Sequence, residues 1–274
     1  MQDKNLNYSD YLEIADGIYW VGFVDEQAHF HCNPYLIVDN NEAVLIDGGS
    51  RNDFSTVMLK IMRTGTDPRN IKRVIYQHDD PDLCGNIPHM KALIRNNGLR
   101  IVSHKENHIF INCCSPKSSK DCIEDLGFRY RFASGRELLF IQTPYSHSPG
   151  SFVTYDSKTK VLFSSDLFGS YDTNWNLYSS IFEKCADCTP ERICPITGKP
   201  CEIIGVWDFH RYVMTSTKAL RFALKQIDGL DISLIAPQRG SVFHTPASCK
   251  IVTGHLSSLT GVGIDYFLME EECS

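Results

Sequence analysis

Three short clusters in this sequence carry side chains of the kind that ligate metals, and each follows an apolar stretch. The first is His78-Asp79-Asp80-Pro81-Asp82-Leu83-Cys84-Gly85. The second, Thr143 to Ser151, contains His147, and the third, Phe163-Ser164-Ser165-Asp166, ends in a carboxylate. If the first cluster is an extended turn, alternation directs His78, Asp80 and Asp82 to one side, with Pro81 stiffening the loop. Asp, Ser, Pro and Gly also favour turns for local reasons, so one such cluster alone reads as a solvated turn. Three in series, each at the end of an apolar run, point to a metal site.

Eleven cysteines are an odd and high count. Without an export signal they read as reduced thiols, metal ligands or redox groups rather than a disulfide scaffold. Cys185, Cys188, Cys194 and Cys201 could set four thiolates around zinc or an iron-sulfur centre, although only the first pair forms the short Cys-x2-Cys hook. Unligated or redox-active thiols are the plainer alternative. Cys84 could reach a metal as a soft ligand, or act as packing or a gate to the pocket. Tyr35 and Tyr145 could line that pocket or belong to the core. His210 and His244, each in amphipathic surroundings, read as hydrogen-bonded structural residues.

The elements that must position these groups are mostly strands. Apolar runs of strand length are Ile18 to Phe23, Pro34 to Val38, Ala43 to Asp47, Arg73 to Gln77, Arg100 to His104, Leu138 to Thr143, Phe152 to Tyr155, Val161 to Ser164 and Ile232 to Ala236. Phe54, Val57, Met58, Ile61 and Met62, then Leu220, Ala223, Leu224 and Ile227, carry the helical spacing of an apolar face. Periodicity by itself yields a mixed α/β class. A chain of 274 residues has ample surface to bury one core, so a single domain over 1–274 is expected, with a Cys- and Pro-rich insertion at 185–201. Apolar residues make up 42% and no apolar run reaches the roughly 18 residues a membrane helix needs. The polar, acidic N-terminal stretch is no secretory signal, which places the protein in the cytoplasm. A net charge of −6 with no basic stripe argues against nucleic acid as a partner.

Taken in order, these motifs resemble the metallo-β-lactamase superfamily, and most closely its flavodiiron and oxygen-binding diiron branch. Leu45-Ile46-Asp47-Gly48-Gly49 looks like the first family motif and His78 to Gly85 the second. His147 looks like the third, Asp166 the fourth, and Ile235-Ala236-Pro237-Gln238-Arg239-Gly240 the fifth. His31-Cys32-Asn33-Pro34-Tyr35 and the segment from Val262 to Tyr266 are also similar to the oxygen-binding branch. The resemblance implies a four-layer α/β/β/α sandwich. It further implies a first metal site of His78, Asp80, His147 and bridging Asp166. Hydrolases of the superfamily usually carry His-x-His-x-Asp-His; here Asp80 replaces the second His, a harder ligand that suits iron better than zinc. The second metal position is degenerate, because Leu83 and Arg239 stand where the family has imidazoles, leaving Asp82 and Asp166. Neither leucine nor a guanidinium offers a lone pair to a cation. Arg239 could instead pair with those two carboxylates in place of the ion, or point to solvent.

Three functions follow as expectations. The first is a non-haem iron protein that binds or senses O2, NO, peroxide or a related redox ligand and passes the change to a signalling partner. The second is an oxidoreductase fed electrons by a separate protein, since no flavin site is visible in this chain. The third is a metal-dependent hydrolase using a metal-bound water. The expected content is one iron, with two irons or zinc as alternatives, and the expected assembly is a homodimer.

Overall fold

A computed structural model describes residues 6–25, 30–95, 98–171 and 175–272. The first elements are β1 Leu12–Ala15, β2 Ile18–Trp20, β3 Phe23–Asp25, β4 Phe30–Cys32, β5 Tyr35–Asp39, β6 Glu42–Ile46, α1 Phe54–Arg63 and β7 Ile71–Ile75. Next come α2 Pro81–Cys84, α3 Ile87–Ile94, β8 Arg100–Ser103, α4 Lys105–Cys114, β9 Lys120–Cys122, β10 Arg129–Arg131, β11 Glu137–Gln142, β12 Phe152–Asp156 and β13 Val161–Ser165. The chain continues with α5 Glu202–Val213, α6 Thr217–Ile227, β14 Leu234–Pro237, α7 Pro246–Ser258 and α8 Ile264–Glu272. A seven-stranded sheet has the order β1-β2-β5-β6-β7-β8-β9, a five-stranded sheet the order β10-β11-β12-β13-β14, and β3 pairs with β4. By packing, residues 1–140 with 154–159 form one unit and residues 141–153 with 160–274 another. Among the described residues, no helix is long and apolar enough to cross a membrane.

In the first unit, β5 turns into β6 at Asn40, whose φ of 55° is a left-handed conformation that Asn tolerates better than most residues. The register pairs Asp39 with Glu42 and Tyr35 with Ile46. β6, β7 and β8 then run parallel, pairing Leu45 with Val74 and Ile75 with Val102. Where these strands are buried on both faces, over Ala43 to Ile46, Val74 to Ile75 and Ile101 to Val102, their sequence is apolar without a break. α1 lays Val57, Met58 and Ile61 on the core as its spacing predicts, whereas Met62 turns outward. Burial of each large aliphatic side chain stabilises the fold by roughly 1.5–3 kcal/mol.

The buried charges Arg136, Asp156 and Lys60 in this unit have no sequence signature. Arg136 donates from Nε and Nη2 to the two carboxylate oxygens of Asp156, at 3.0 and 2.6 Å. Lys60 donates to the carbonyls of Tyr8 and Gly22 and lies 4.0 Å from the centre of the Trp20 ring. Its burial pushes the amine down to about 8.

In the second unit β13 and β14 are parallel, pairing Leu162 with Ile235 and Phe163 with Ala236. α6 buries Ala219, Leu220, Ala223, Leu224 and Ile227, and the Ser216 hydroxyl caps its start by accepting from the Ala219 amide at 3.2 Å. α7 opens with a reciprocal cap between Thr245 and Ser248, with Pro246 at its first position.

Candidate metal centre

His78 sits just beyond the carboxyl end of β7, and three groups of hydrogen bonds hold its loop. The Asp47 amide donates to Ile75 O at 2.8 Å, the Gly48 amide to Leu83 O at 3.0 Å, and the Gln77 amide to Asp47 Oδ1 at 3.3 Å. Asn86 Nδ2 donates to the Gly48 carbonyl. Position 48 admits only glycine without rearrangement, because an added Cβ would lie 2.5 Å from Met90 Cε, 2.7 Å from Asn86 Oδ1 and 2.8 Å from the Tyr76 oxygen. The Asp47-Gly48-Gly49 motif therefore serves as the clamp on the His78 loop.

The loop is not extended throughout, which corrects the simple alternation expected for His78, Asp80 and Asp82. From Pro81 the chain coils into α2: the amides of Leu83 and Cys84 donate to Asp80 O at 3.0 and 3.2 Å, and Pro81 supplies a preset φ at the first helical position. Asp80 precedes the helix and Asp82 lies in its first turn, both half-buried. His78 is 1% exposed, with Nε2 3.7 Å from Asp80 Oδ2. Leu83 is fully buried in the apolar core with Leu36, Leu45, Val57 and Ile87. The Cys32 sulfur lies 3.9 Å from Asp82 O, so the His31 to Tyr35 segment backs the same loop.

In the second unit the Thr143 to Ser151 loop is closed by its own backbone and hydroxyl groups. The Thr143 amide donates to Ser151 O at 3.0 Å, the Tyr145 amide to Ser148 O at 2.9 Å, and the Ser148 amide to Ser151 Oγ at 2.9 Å. Tyr145 takes the strained side of this turn at φ 62°. Asp166 follows β13 directly and is 3% exposed. His147 Nδ1 lies 3.5 Å from Asp166 Oδ2. Each unit thus presents one imidazole beside one carboxylate, a donor set that suits a hard or borderline divalent metal such as iron or zinc.

His210 holds the Asp166 loop from behind. Its Nε2 accepts from the Phe168 amide at 3.1 Å, and its Nδ1 donates to Val206 O at 2.7 Å. The two bonds fix one neutral tautomer, and complete burial pushes the imidazole down to about 4. The structural role expected for His210 holds, but its connection to Asp166, 44 positions away, has no local signal. His244 is exposed and stacks near Tyr178, with ring centres 5.0 Å apart.

The other candidates separate. Arg239, at the end of β14, is half-buried. Its neighbours are tied to the Asp166 loop, with the Gln238 amide donating to Ser165 O at 2.9 Å and Trp175 Nε1 to Gly240 O at 2.9 Å. Tyr35 is buried in β5 and Tyr145 is 54% exposed. Cys84 belongs to the core, where its sulfur lies 3.9 Å from that of Cys114 and its thiol is pushed up by burial and by that neighbour. Cys185 is buried, and Cys188, Cys194 and Cys201 are half-buried free thiols.

With this geometry described, comparison places the chain among known proteins. It is 28% identical over 247 residues to an uncharacterised protein of Methanocaldococcus jannaschii, covering 85% of this chain and 56% of that one. It is 25% identical over 215 residues to the anaerobic nitric oxide reductase flavorubredoxin of Pectobacterium atrosepticum, covering 71% and 42%. The chain thus spans about half the length of these curated relatives. A solved structure of the chemotaxis sensor ODP, described as a peroxy diiron species, superposes with a TM-score of 0.72 at 25% identity, covering 92% of this chain and 94% of that one. These neighbours bear out the α/β class and the metallo-β-lactamase-like fold. Residues 30–240 match the model of a family described as ODP family beta lactamase, and since this is well over half of the sequence, the chain belongs to that family.

Proposed function

We propose that this protein is a non-haem iron protein of the oxygen-binding diiron type that binds or senses O2, NO or a related redox ligand. The observation that supports it most is the pairing of an imidazole with a carboxylate in each unit, His78 with Asp80 and His147 with Asp166. These four side chains would hold one iron. Bound there, iron would supply redox-active chemistry toward a small ligand. The relatives support the ligand class: one is a chemotaxis sensor described with a peroxy diiron species, another a nitric oxide reductase.

The residues around the pairs define what the chain itself contributes. The Gly48 clamp holds the His78 loop and His210 holds the Asp166 loop, so the donors need little reordering to bind. At the second metal position Leu83 is packed in the core, and Arg239 brings a permanent positive charge. Asp82 and Asp166 alone leave that position short of ligands. We therefore assign one tightly held iron per chain and a response carried to a partner protein rather than turnover.

Metal analysis of anaerobically purified protein, with absorption spectra before and after air and nitric oxide, tests this reading. About one iron at the imidazole-carboxylate site, lost in His147→Ala, with a spectral change on adding either gas, is the expected result. Zinc in place of iron, or a spectrum indifferent to both gases, would overturn it. Two irons bound at these motifs would show that the second position is intact.

A further inference from the structure

The insertion at 185–201 lies outside the imidazole-carboxylate groups, and its cysteines account for its structure better than any apolar packing does. Across 182–200 the single buried residue is Cys185, and the half-buried ones are Cys188, Pro190 and Cys194. All the rest are exposed, including Ile193 and Ile196 at 55% and 49%. A segment of this length with no apolar core needs another source of order, and small protein structures usually obtain it from disulfides or a metal.

The backbone forms two hooks. In the first, a 3-10 turn at Glu183–Cys185 leads to Cys188, whose thiol donates to Cys185 O at 3.3 Å. In the second, Ile193 and Pro200 pair as an antiparallel bridge, the Cys194 amide donates to Lys199 O at 2.8 Å, and the Cys201 amide donates to Arg192 O at 3.1 Å. Alternation then puts Cys194 and Cys201 on one face of the hairpin, diagonal to one another and opposite Ile193 and Pro200. Gly198, at φ 67°, closes the turn.

Both hooks are anchored at their roots. Cys201 immediately precedes α5, receiving the amides of Ile204 and Gly205 on its carbonyl at 3.1 and 3.3 Å. The Cys185 carbonyl is 2.7 Å from Nε2 of His255 on α7, and Trp207 on α5 donates to the His255 carbonyl at 3.2 Å. The thiols also sense one another. Cys188 is pushed up by burial and then by Cys185, Cys201 and Cys194, and Cys201 by burial and then, against two backbone amides, by Cys194 and Cys185. Cys194 is held down by the Thr197 hydroxyl and by the amides of Thr197 and Ile196. Four thiols that repel as anions gain most from a cation among them. The sulfurs do not yet stand at ligand spacing, so binding has to draw the hooks together.

We propose that Cys185, Cys188, Cys194 and Cys201 form a four-thiolate site for one divalent transition metal, which fastens the insertion over the start of α5. Zinc and ferrous iron share this ligand chemistry. Each thiol that ligates releases its proton to solvent and no electron is transferred, so binding weakens as pH falls.

The test uses the full chain, purified anaerobically, as wild type, His147→Ala and Cys188→Ser/Cys194→Ser, with zinc and iron counted separately. The expected result is one metal ion fewer in the double cysteine variant than in wild type, and retention of that ion in His147→Ala. Zinc identifies a structural tie, whereas iron with a thiolate charge-transfer spectrum identifies a redox-active one; either supports the site. Independently of any variant, the four wild-type cysteines should resist alkylation under native conditions until a chelator is added, read by peptide mass. Equal metal content in wild type and the cysteine variant, prompt alkylation of all four thiols without chelator, or disulfides joining them in the anaerobic protein would each overturn the proposal.

Discussion

His210 and Phe168 are joined by a buried hydrogen bond, the Phe168 amide donating to His210 Nε2 at 3.1 Å, and this bond fixes the turn that presents Asp166. It requires a neutral imidazole. The folded-state value, about 4, lies below the ordinary 6.5, so as pH falls the unfolded chain takes up the proton first. The contribution to stability is complete above about pH 6.5 and is lost between there and about pH 4, amounting to roughly 3 kcal/mol. Denaturant unfolding of metal-free protein should show this loss, and His210→Gln should lack that part of the pH dependence. Parallel pH curves for the two proteins would remove His210 from the account.

Gly48→Ala should disturb the His78 loop through the contacts its Cβ would make with Met90, Asn86 and Tyr76. Overpacking of this kind costs about 1–3 kcal/mol. The thermal midpoint should fall, and iron retention should fall with it because the clamp and the ligand loop are one unit. Wild-type stability with full metal would show that the loop does not depend on close contact at position 48.

Leu83 and Arg239 bear on the proposed degenerate metal position in different ways. Leu83→Ala should cost about 2–5 kcal/mol, as a fully buried core leucine. Leu83→His with Arg239→His restores both imidazoles but puts one of them in the core, so the double variant should be less stable than wild type without metal and regain stability as a second iron binds. Metal stoichiometry paired with unfolding decides the point. A folded double variant that still carries one metal would mean that more than these two side chains separates the position from function.

Arg136→Ala should be among the most damaging changes distant from the candidate ligands, since it leaves the fully buried Asp156 carboxylate with donors from Lys158 and Thr159 but no opposite charge. Removing one partner of such a pair costs about 3–5 kcal/mol. Arg136→Met/Asp156→Leu should recover much of that loss. A double variant as unstable as Arg136→Ala would assign the effect to packing rather than charge.

The sequence by itself determined the strands whose loops carry the candidate ligands and the order of those strands. β5 to β8 and β11 to β14 are apolar runs closed by polar loops, and a two-sided buried strand needs that composition wherever its partners lie. His78, Asp80, His147 and Asp166, the proposed ligands, lie in the loops that follow such runs, and the family resemblance is what joins them into one set. Local spacing could not reveal what depends on distant partners. Pro81 turned the expected extended loop into α2, since its ring sets a helical φ once Asp80 O can accept the amides that follow. Leu83 was expected to mark a missing ligand, and its place in the apolar core was decided by Leu36, Leu45 and Val57 around it. For Cys84 the sequence left open a soft metal ligand, packing or a gate, and the structure packs its thiol beside Cys114, 30 positions away. The His210 anchor and the Arg136–Asp156 pair likewise join residues 42 and 20 apart. A hydrogen bond across such a separation leaves no periodicity in the chain, and only the tertiary structure brings its donor to its acceptor.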